Sequence, residues 1–204
     1  MKIGIIVDGV SEFASLPELY PGLSSAGSHQ LLKPVRADIQ PKAPLPVIVK
    51  RCRPKIDQFL ARGADRVVVL LDREDRDECA GDLASSLVSM LSTAGVSNVD
   101  VVVKDRMFEN WLLGDLDALR ASPNRFQVSR STERAVQPDK ADRVEAMALL
   151  KRCAKGPVYD KVRDSKIVLR SAQPDQIAMH SRSFRRFMRV VGCSRYTEQS
   201  RRPA

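Results

Sequence analysis

Three short apolar runs constrain this chain most: residues 3–7 (IGIIV), 67–71 (VVVLL) and 99–103 (VDVVV). Each is nearly continuous rather than alternating, the pattern of a strand buried on both faces, as in a parallel sheet covered by helices. Helical periodicity fills the intervals. Residues 50–62 read as a helix ended by Gly63, with Pro54 in its first turn or at its true start. Residues 78–94 place Leu83, Leu87, Met90, Leu91 and Ala94 on one face, with Gly95 as the stop. After the third run, Phe108, Trp111, Leu112, Leu116 and Leu119 repeat with the same period. Strand alternating with helix gives an α/β, Rossmann-like unit with a mostly parallel sheet over residues 1–120.

The rest of the chain reads as insertions and an appendage. Residues 20–46 contain PGLSSAGSH and PKAPLP, an irregular insertion, with a short strand possible at 47–49. A second irregular stretch covers 122–138, a helix covers 140–154, and a mostly helical basic end follows, so 121–204 is expected to pack on the first unit. A chain of 204 residues, 43% hydrophobic and 29% charged, has the usage of one folded globular unit. No apolar run reaches the roughly 18 residues of a membrane span, and the opening MKIGIIVDG is too short and too soon charged for a secretory signal. A cytoplasmic protein is expected. Cys52, Cys79, Cys153 and Cys193 are scattered singly, which suggests neither a zinc site nor a disulfide framework. His29 and His180 are the only histidines and leave little material for a histidine-rich metal site or a Ser-His-Asp hydrolase.

The net charge of +9 is unevenly placed. From Lys151 onward 14 basic residues face 4 acidic ones, a net +10, and residues 1–150 carry the remaining −1. A near-neutral body with a basic end fits a chain that meets phosphate backbone on one face. Within SRSFRRFMRVV, helical spacing puts Phe184, Phe187, Met188 and Val191 on one face and Arg182, Arg185, Arg186 and Arg189 on another. The arginine stripe is expected to face outward and bind nucleic acid, with Lys161, Lys166 and Arg170 adding sequence-independent attraction. An acidic protein partner would suit the same stripe.

Both leading strands run into carboxylates. Val7 leads to Asp8-Gly9, and Leu71 leads to DREDRDE, residues 72–78. In an open parallel sheet functional groups gather beyond the carboxyl ends of the strands, so these acids share a crevice if the strands are neighbours. Clustered carboxylates repel unless a cation neutralises them, and hard oxygen ligands suit Mg²⁺ or Mn²⁺. Asp72 and Glu74 alternate along extended chain and would face the same side. Asp77 and Glu78 read as acids at a helix N-terminus, where the dipole favours them. Asp75 fits either description. Glu12 is either a supporting acid or a first-turn helix partner, and Glu109 either a further acid or an exposed helix residue. Trp111 falls on the apolar stripe and reads as core.

IGIIVDGVSE and VVVLLDRED stand where the Toprim domain of topoisomerases, primases and overcoming-lysogenization-defect type nucleases has a strand ending in Glu-Gly and a later strand ending in Asp-x-Asp. The chain resembles that superfamily. It is similar in particular to an uncharacterised bacterial Toprim-like family with an FE-x-W-L-L-x-D motif, here residues 108–115, and a closing SF motif, here within SRSFRRF. Two positions depart from the pattern: Asp8 stands for Glu and Glu74 for Asp. Charge is kept and reach is exchanged.

The resemblance implies a metal-dependent nuclease in which Asp8, Asp72 and Glu74 hold Mg²⁺ or Mn²⁺ and carry catalysis, with Asp8 also able to act as general acid or base. It further implies a role in bacterial defence against phage or foreign nucleic acid. An ATPase would have to be supplied in trans, since no GxxxxGK[ST] is present. The alternative is a non-catalytic subunit that holds nucleic acid or a partner. A phosphotransferase using Asp72 as nucleophile lacks the usual Asp-x-Asp-x-Thr order.

Overall fold

The computed structural model describes residues 1–26, 29–40 and 42–196. In chain order the elements are β1 (Lys2–Val7), α1 (Val10–Ser15), α2 (Tyr20–Ala26), β2 (Gln30–Leu31), β3 (Val35–Arg36), α3 (Leu45–Ala61), β4 (Arg66–Asp72), α4 (Ala80–Thr93), β5 (Val99–Lys104), α5 (Glu109–Gly114), α6 (Leu116–Arg120), α7 (Arg130–Val136), α8 (Ala146–Cys153), α9 (Lys161–Ser171), α10 (Pro174–His180) and α11 (Arg182–Val190). The three apolar runs are β1, β4 and β5, side by side and parallel. The short β2 and β3 both pair, also in parallel, along the free edge of β1. The fold is α/β, a parallel sheet flanked by helices.

The near-continuous apolarity is explained by what covers each face. Ile3, Ile5, Val7, Val68, Leu70 and Val102 point into one core, shared with α5, α6 and the helices from α8 to α11. Ile6, Val67, Val69, Leu71, Val101 and Val103 point into the other, under α3 and α4. Period-two alternation is present, but both sides are dry, so nearly every central position is apolar, the exception being half-buried Asp100, which pairs with Arg66. The segment after residue 120 is therefore half of one core. No helix among the described residues is long and apolar enough to cross a membrane.

Several element boundaries differ from the sequence expectation. Helix α3 begins at Leu45, so 47–49 is helix rather than strand, because Pro44 caps it and Pro46 occupies its first turn. Ile48, Cys52, Ile56 and Phe59 form its buried stripe, and Pro54 lies inside the helix on its exposed side. The single helix expected after β5 is broken into α5 and α6 at Asp115, whose side chain caps α6. The stretch 122–138 contains α7, started by Ser129, whose Oγ accepts from the Thr132 backbone N–H. Residues 140–154 are not one helix. Asn110 Nδ2 donates to the carbonyls of Ala141 (2.7 Å) and Val144 (3.0 Å), leaving a 3₁₀ turn at Ala141–Arg143 before α8.

Candidate functional site

The carboxyl ends of β1, β4 and β5 meet at one place. Asp72 is the register partner of Lys104, so both side chains leave the sheet on the same face. Asp8 follows β1, and its Oδ2 accepts from the Asp72 backbone N–H at 2.8 Å. Helix α1 brings Glu12 over the same point; a Cβ on Gly9 would stand 2.2 Å from Glu12 Oε2, so glycine is needed for that approach. Lys104 Nζ lies 2.8 Å from Glu12 Oε1, 3.1 Å from Asp72 Oδ1 and 3.8 Å from Asp8 Oδ1.

Asp8, Glu12 and Asp72 each offer an oxygen within 4.8 Å of the others. Against these three carboxylates stands one ammonium, a formal excess of two negative charges. Lys104 is fully buried and Glu12 nearly so. Asp8 Oδ1 and Asp72 Oδ1 are buried yet accept no hydrogen bond. Their one neighbouring cation is the Lys104 ammonium, an ion pair at 3.1 Å for Asp72 Oδ1 and a looser 3.8 Å for Asp8 Oδ1, so of the two Asp8 Oδ1 is the less satisfied.

The titration of the cluster follows from burial and the ammonium. Burial pushes the Asp8 carboxyl up to about 6, against the pull of Lys104 and with a push from Glu12. Burial likewise raises Asp72 well above the usual carboxylate range despite Lys104. Burial acts to raise Glu12 too, but there the close Lys104 ammonium wins and the carboxyl lies below its ordinary value. Burial would strip the proton from Lys104; Asp72, Glu12 and Asp8 together hold it more tightly than normal. Strongly shifted groups clustered in a cleft are a mark of functional sites.

A cavity of about 310 Å³ opens on the cluster, lined also by Glu74, Glu109, Ile39 and Lys161. Of the acids read from the sequence, Asp8 and Asp72 lie at its centre. Glu12 is there too, as a direct member of the cluster as well as the first-turn acid of α1. Glu74 lines the wall but stands outside the close triad. Its backbone is left-handed, φ 50°, held by its N–H donating to the Arg106 carbonyl at 2.9 Å, so simple strand alternation with Asp72 does not apply. Partial burial raises its carboxyl. Asp75 is exposed and does not line the cavity. Glu109 is buried in the lining and pairs with Lys161 at 3.2 Å, so it is not an outward-facing helix residue.

Lys104 was not singled out by sequence reading, which ended the third apolar run at Val103. The signal was its position: it ends the third strand as Asp72 ends the second.

The basic end divides. Arg182 and Arg189 are exposed, as are Lys161 and Arg170, the last paired with Glu18 at 3.3 Å, and Lys166 is half-buried. Arg185 does not face outward: it is 5% exposed, donating to the Ala178 carbonyl at 2.6 Å and pairing with Asp139 at 2.9 Å. Arg186 is half-buried and donates to the Val103 carbonyl at 2.9 Å. The four-arginine stripe is thus split, because α11 is buried round more of its girth than an edge-docked helix, with α10 and β5 packed against it.

The two terminal motifs meet in the core. Trp111 is fully buried against Phe184 and Phe187, with ring centroids 4.9 and 5.3 Å away, and its Nε1 donates to Ser183 Oγ at 2.7 Å. Asp115 Oδ1 accepts from the backbones of Asp117 and Ala118, and Oδ2 from Gln173. Within the motif at 108–115, Glu109 reaches the cavity while Trp111 and Asp115 hold the scaffold.

No curated protein and no solved structure matches the chain. A family model described as a domain of unknown function (DUF4276) matches residues 7–191, from the end of β1 to just past α11, and the chain belongs to that family.

Proposed function

We propose that the chain is a metal-dependent nuclease whose cation is held by Asp8, Glu12 and Asp72, with Glu74 at the rim. The observation that carries this is the convergence of three carboxylate oxygens within 4.8 Å of one another on one ammonium, with Asp8 Oδ1 and Asp72 Oδ1 making no hydrogen bond beyond their ion pairs with Lys104. An all-oxygen donor set of this kind fits Mg²⁺ or Mn²⁺. Such an ion, when bound, makes a water more acidic and stabilises charge developing on phosphoryl oxygens.

The protein's own groups supply the rest. Lys104 fixes Glu12 and Asp72 in place and removes one unit of their mutual repulsion. The Toprim resemblance also gives Asp8 the role of general acid or base, to which its carboxyl, pushed up to about 6 by burial, is suited when it does not itself ligate the cation. Lys161 stands at the mouth and draws phosphate toward an otherwise acidic cleft. The resemblance of IGIIVDGVSE and VVVLLDRED to Toprim strand ends supports the same chemistry. It extends the proposal to a cytoplasmic role in defence against foreign nucleic acid, with any ATPase provided by a separate chain.

A second reading rests on Lys104 lying within 4 Å of all three acids. There the ammonium is the only cation, and the chain binds nucleic acid or a partner without cutting it. Incubation with supercoiled DNA, linear DNA and RNA in Mg²⁺ or Mn²⁺ separates the two. The nuclease reading expects cleavage that falls at least about 100-fold in both Asp8→Asn and Asp72→Asn. Binding without cleavage of any substrate under either metal supports the second reading.

A further inference from the structure

A second cavity, of about 360 Å³, has no lining residue in common with the acidic one but alternates with it along the chain after β4. Asp72 and Glu74 line the acidic cavity, while Arg73, between them, lines the other. From the next strand, Lys104 enters the acidic cluster and Arg106 lines the second cavity. Arg143 and Arg182 complete a set of four guanidinium groups, and the first turn of the 14-residue α4 opens there at Cys79 and Ala80.

Three aspartates also border this cavity, but each is already engaged. Asp105 pairs with Arg186 at 3.4 Å and Asp139 with Arg185 at 2.9 Å. Asp142 accepts from Ser181 Oγ and Ser183 Oγ, both at 2.9 Å, and from the Ser183 backbone N–H at 2.8 Å. Arg73 is held by the carbonyls of Asp105 and Arg76, and Arg106 by Glu145. Arg143 and Arg182 are exposed, and neither side chain has an ion pair or hydrogen bond among the described residues. The cavity therefore presents two anchored and two uncommitted guanidinium groups, a donor set suited to phosphate. A helix N-terminus adds to the preference for an anion.

We propose that this arginine cavity is a phosphate-binding subsite that receives a backbone phosphate of the same nucleic-acid strand whose scissile phosphodiester enters the acidic cavity. The identity of the ligand rests on the nuclease reading; the anion preference of the cavity does not. The Asp72–Glu74 segment separates the two, facing metal chemistry on one side and backbone charge on the other. A strand laid across it is gripped by arginine and presented to the acids, whose own charge would otherwise repel it.

The test uses a reporter already in the cavity. Cys79 is exposed and lines it, whereas Cys52, Cys153 and Cys193 are buried. Alkylation of Cys79 by iodoacetamide is followed by mass spectrometry in chelator, with inorganic phosphate, with a short single-stranded oligonucleotide, or with neither. The oligonucleotide is expected to slow alkylation, and Arg143→Glu/Arg182→Glu to abolish the protection. The double variant is also expected to weaken oligonucleotide binding, read by fluorescence anisotropy in chelator, at least about tenfold at low salt and to flatten its salt dependence. Protection by inorganic phosphate but not by oligonucleotide overturns the strand assignment, and protection by neither overturns the subsite. Unchanged oligonucleotide affinity in the double variant also overturns it, and a wild type that still cleaves then leaves the nuclease reading standing. Protection that depends on the two arginines, in a chain that cleaves nothing, keeps the subsite and removes the nuclease.

Discussion

At the scale of single residues, the acidic cluster gathers carboxylates whose burial raises Asp8 and Asp72 and so works against folding at neutral pH. Asp8 titrates at about 6 when folded against 3.8 in its ordinary state, so the folded chain binds that proton more tightly than the unfolded chain. Any stability it contributes is fully present below 3.8 and is lost as pH rises to about 6, a swing of about 3 kcal/mol. In chelator, Asp8→Asn is expected to be more stable than the wild type at pH 7, with the gap closing toward about pH 4, as read by urea unfolding across that range. Lys104→Met, which leaves three buried carboxylates without their ammonium, is expected to cost about 3–5 kcal/mol in chelator. Thermal unfolding with added Mn²⁺ should recover part of that loss. Asp8 and Asp72 were legible in the sequence because a carboxylate at the mouth of a buried strand has few structural excuses. Lys104 was not, because three valines made its strand read as core, and Glu12 was ambiguous because a first-turn acid is common on any helix. Glu74 was legible as facing the same cavity as Asp72, though a left-handed backbone rather than strand alternation puts it there.

Among the elements, the apolar runs were legible because burial on both faces leaves almost every position apolar, with Asp100 the one interruption. Helix boundaries were less so, since they are set by caps and side-chain hydrogen bonds from distant parts of the chain. Asp115 is the clearest instance: its carboxylate ends one helix, starts the next and holds the Gln173 backbone at 2.8 Å. Asp115→Ala is expected to destabilise the fold by about 2–3 kcal/mol, combining a lost cap with buried N–H groups left unpaired. Chemical denaturation would measure this, and Asp115→Asn should recover part of the loss. Helix α11 carries the complementary lesson. Its period was read correctly, but periodicity does not reveal how many neighbours surround a helix, and Arg185 turned out to be an internal tie rather than a phosphate contact.

For the molecule as a whole, the basic end is not an appendage. Phe184, Phe187 and Met188 are fully buried in the core that contains Ile3, Val68 and Trp111. A chain truncated after residue 160 would expose that face of the sheet and is expected to lose cooperative unfolding and to bind the dye ANS. The candidate site draws on the whole fold in the same way, joining β1, α1, β4 and β5 across 92 residues between Glu12 and Lys104. The central proposal is that the joined acids hold a divalent cation. Calorimetric titration of Mn²⁺ into the wild type and Asp72→Asn tests this most directly. The expected result is saturable binding in the wild type, with proton release at pH 6 as Asp8 and Asp72 ionise, and at least about tenfold weaker binding in the variant. No saturable binding at millimolar Mn²⁺, or equal binding in both proteins, would contradict it.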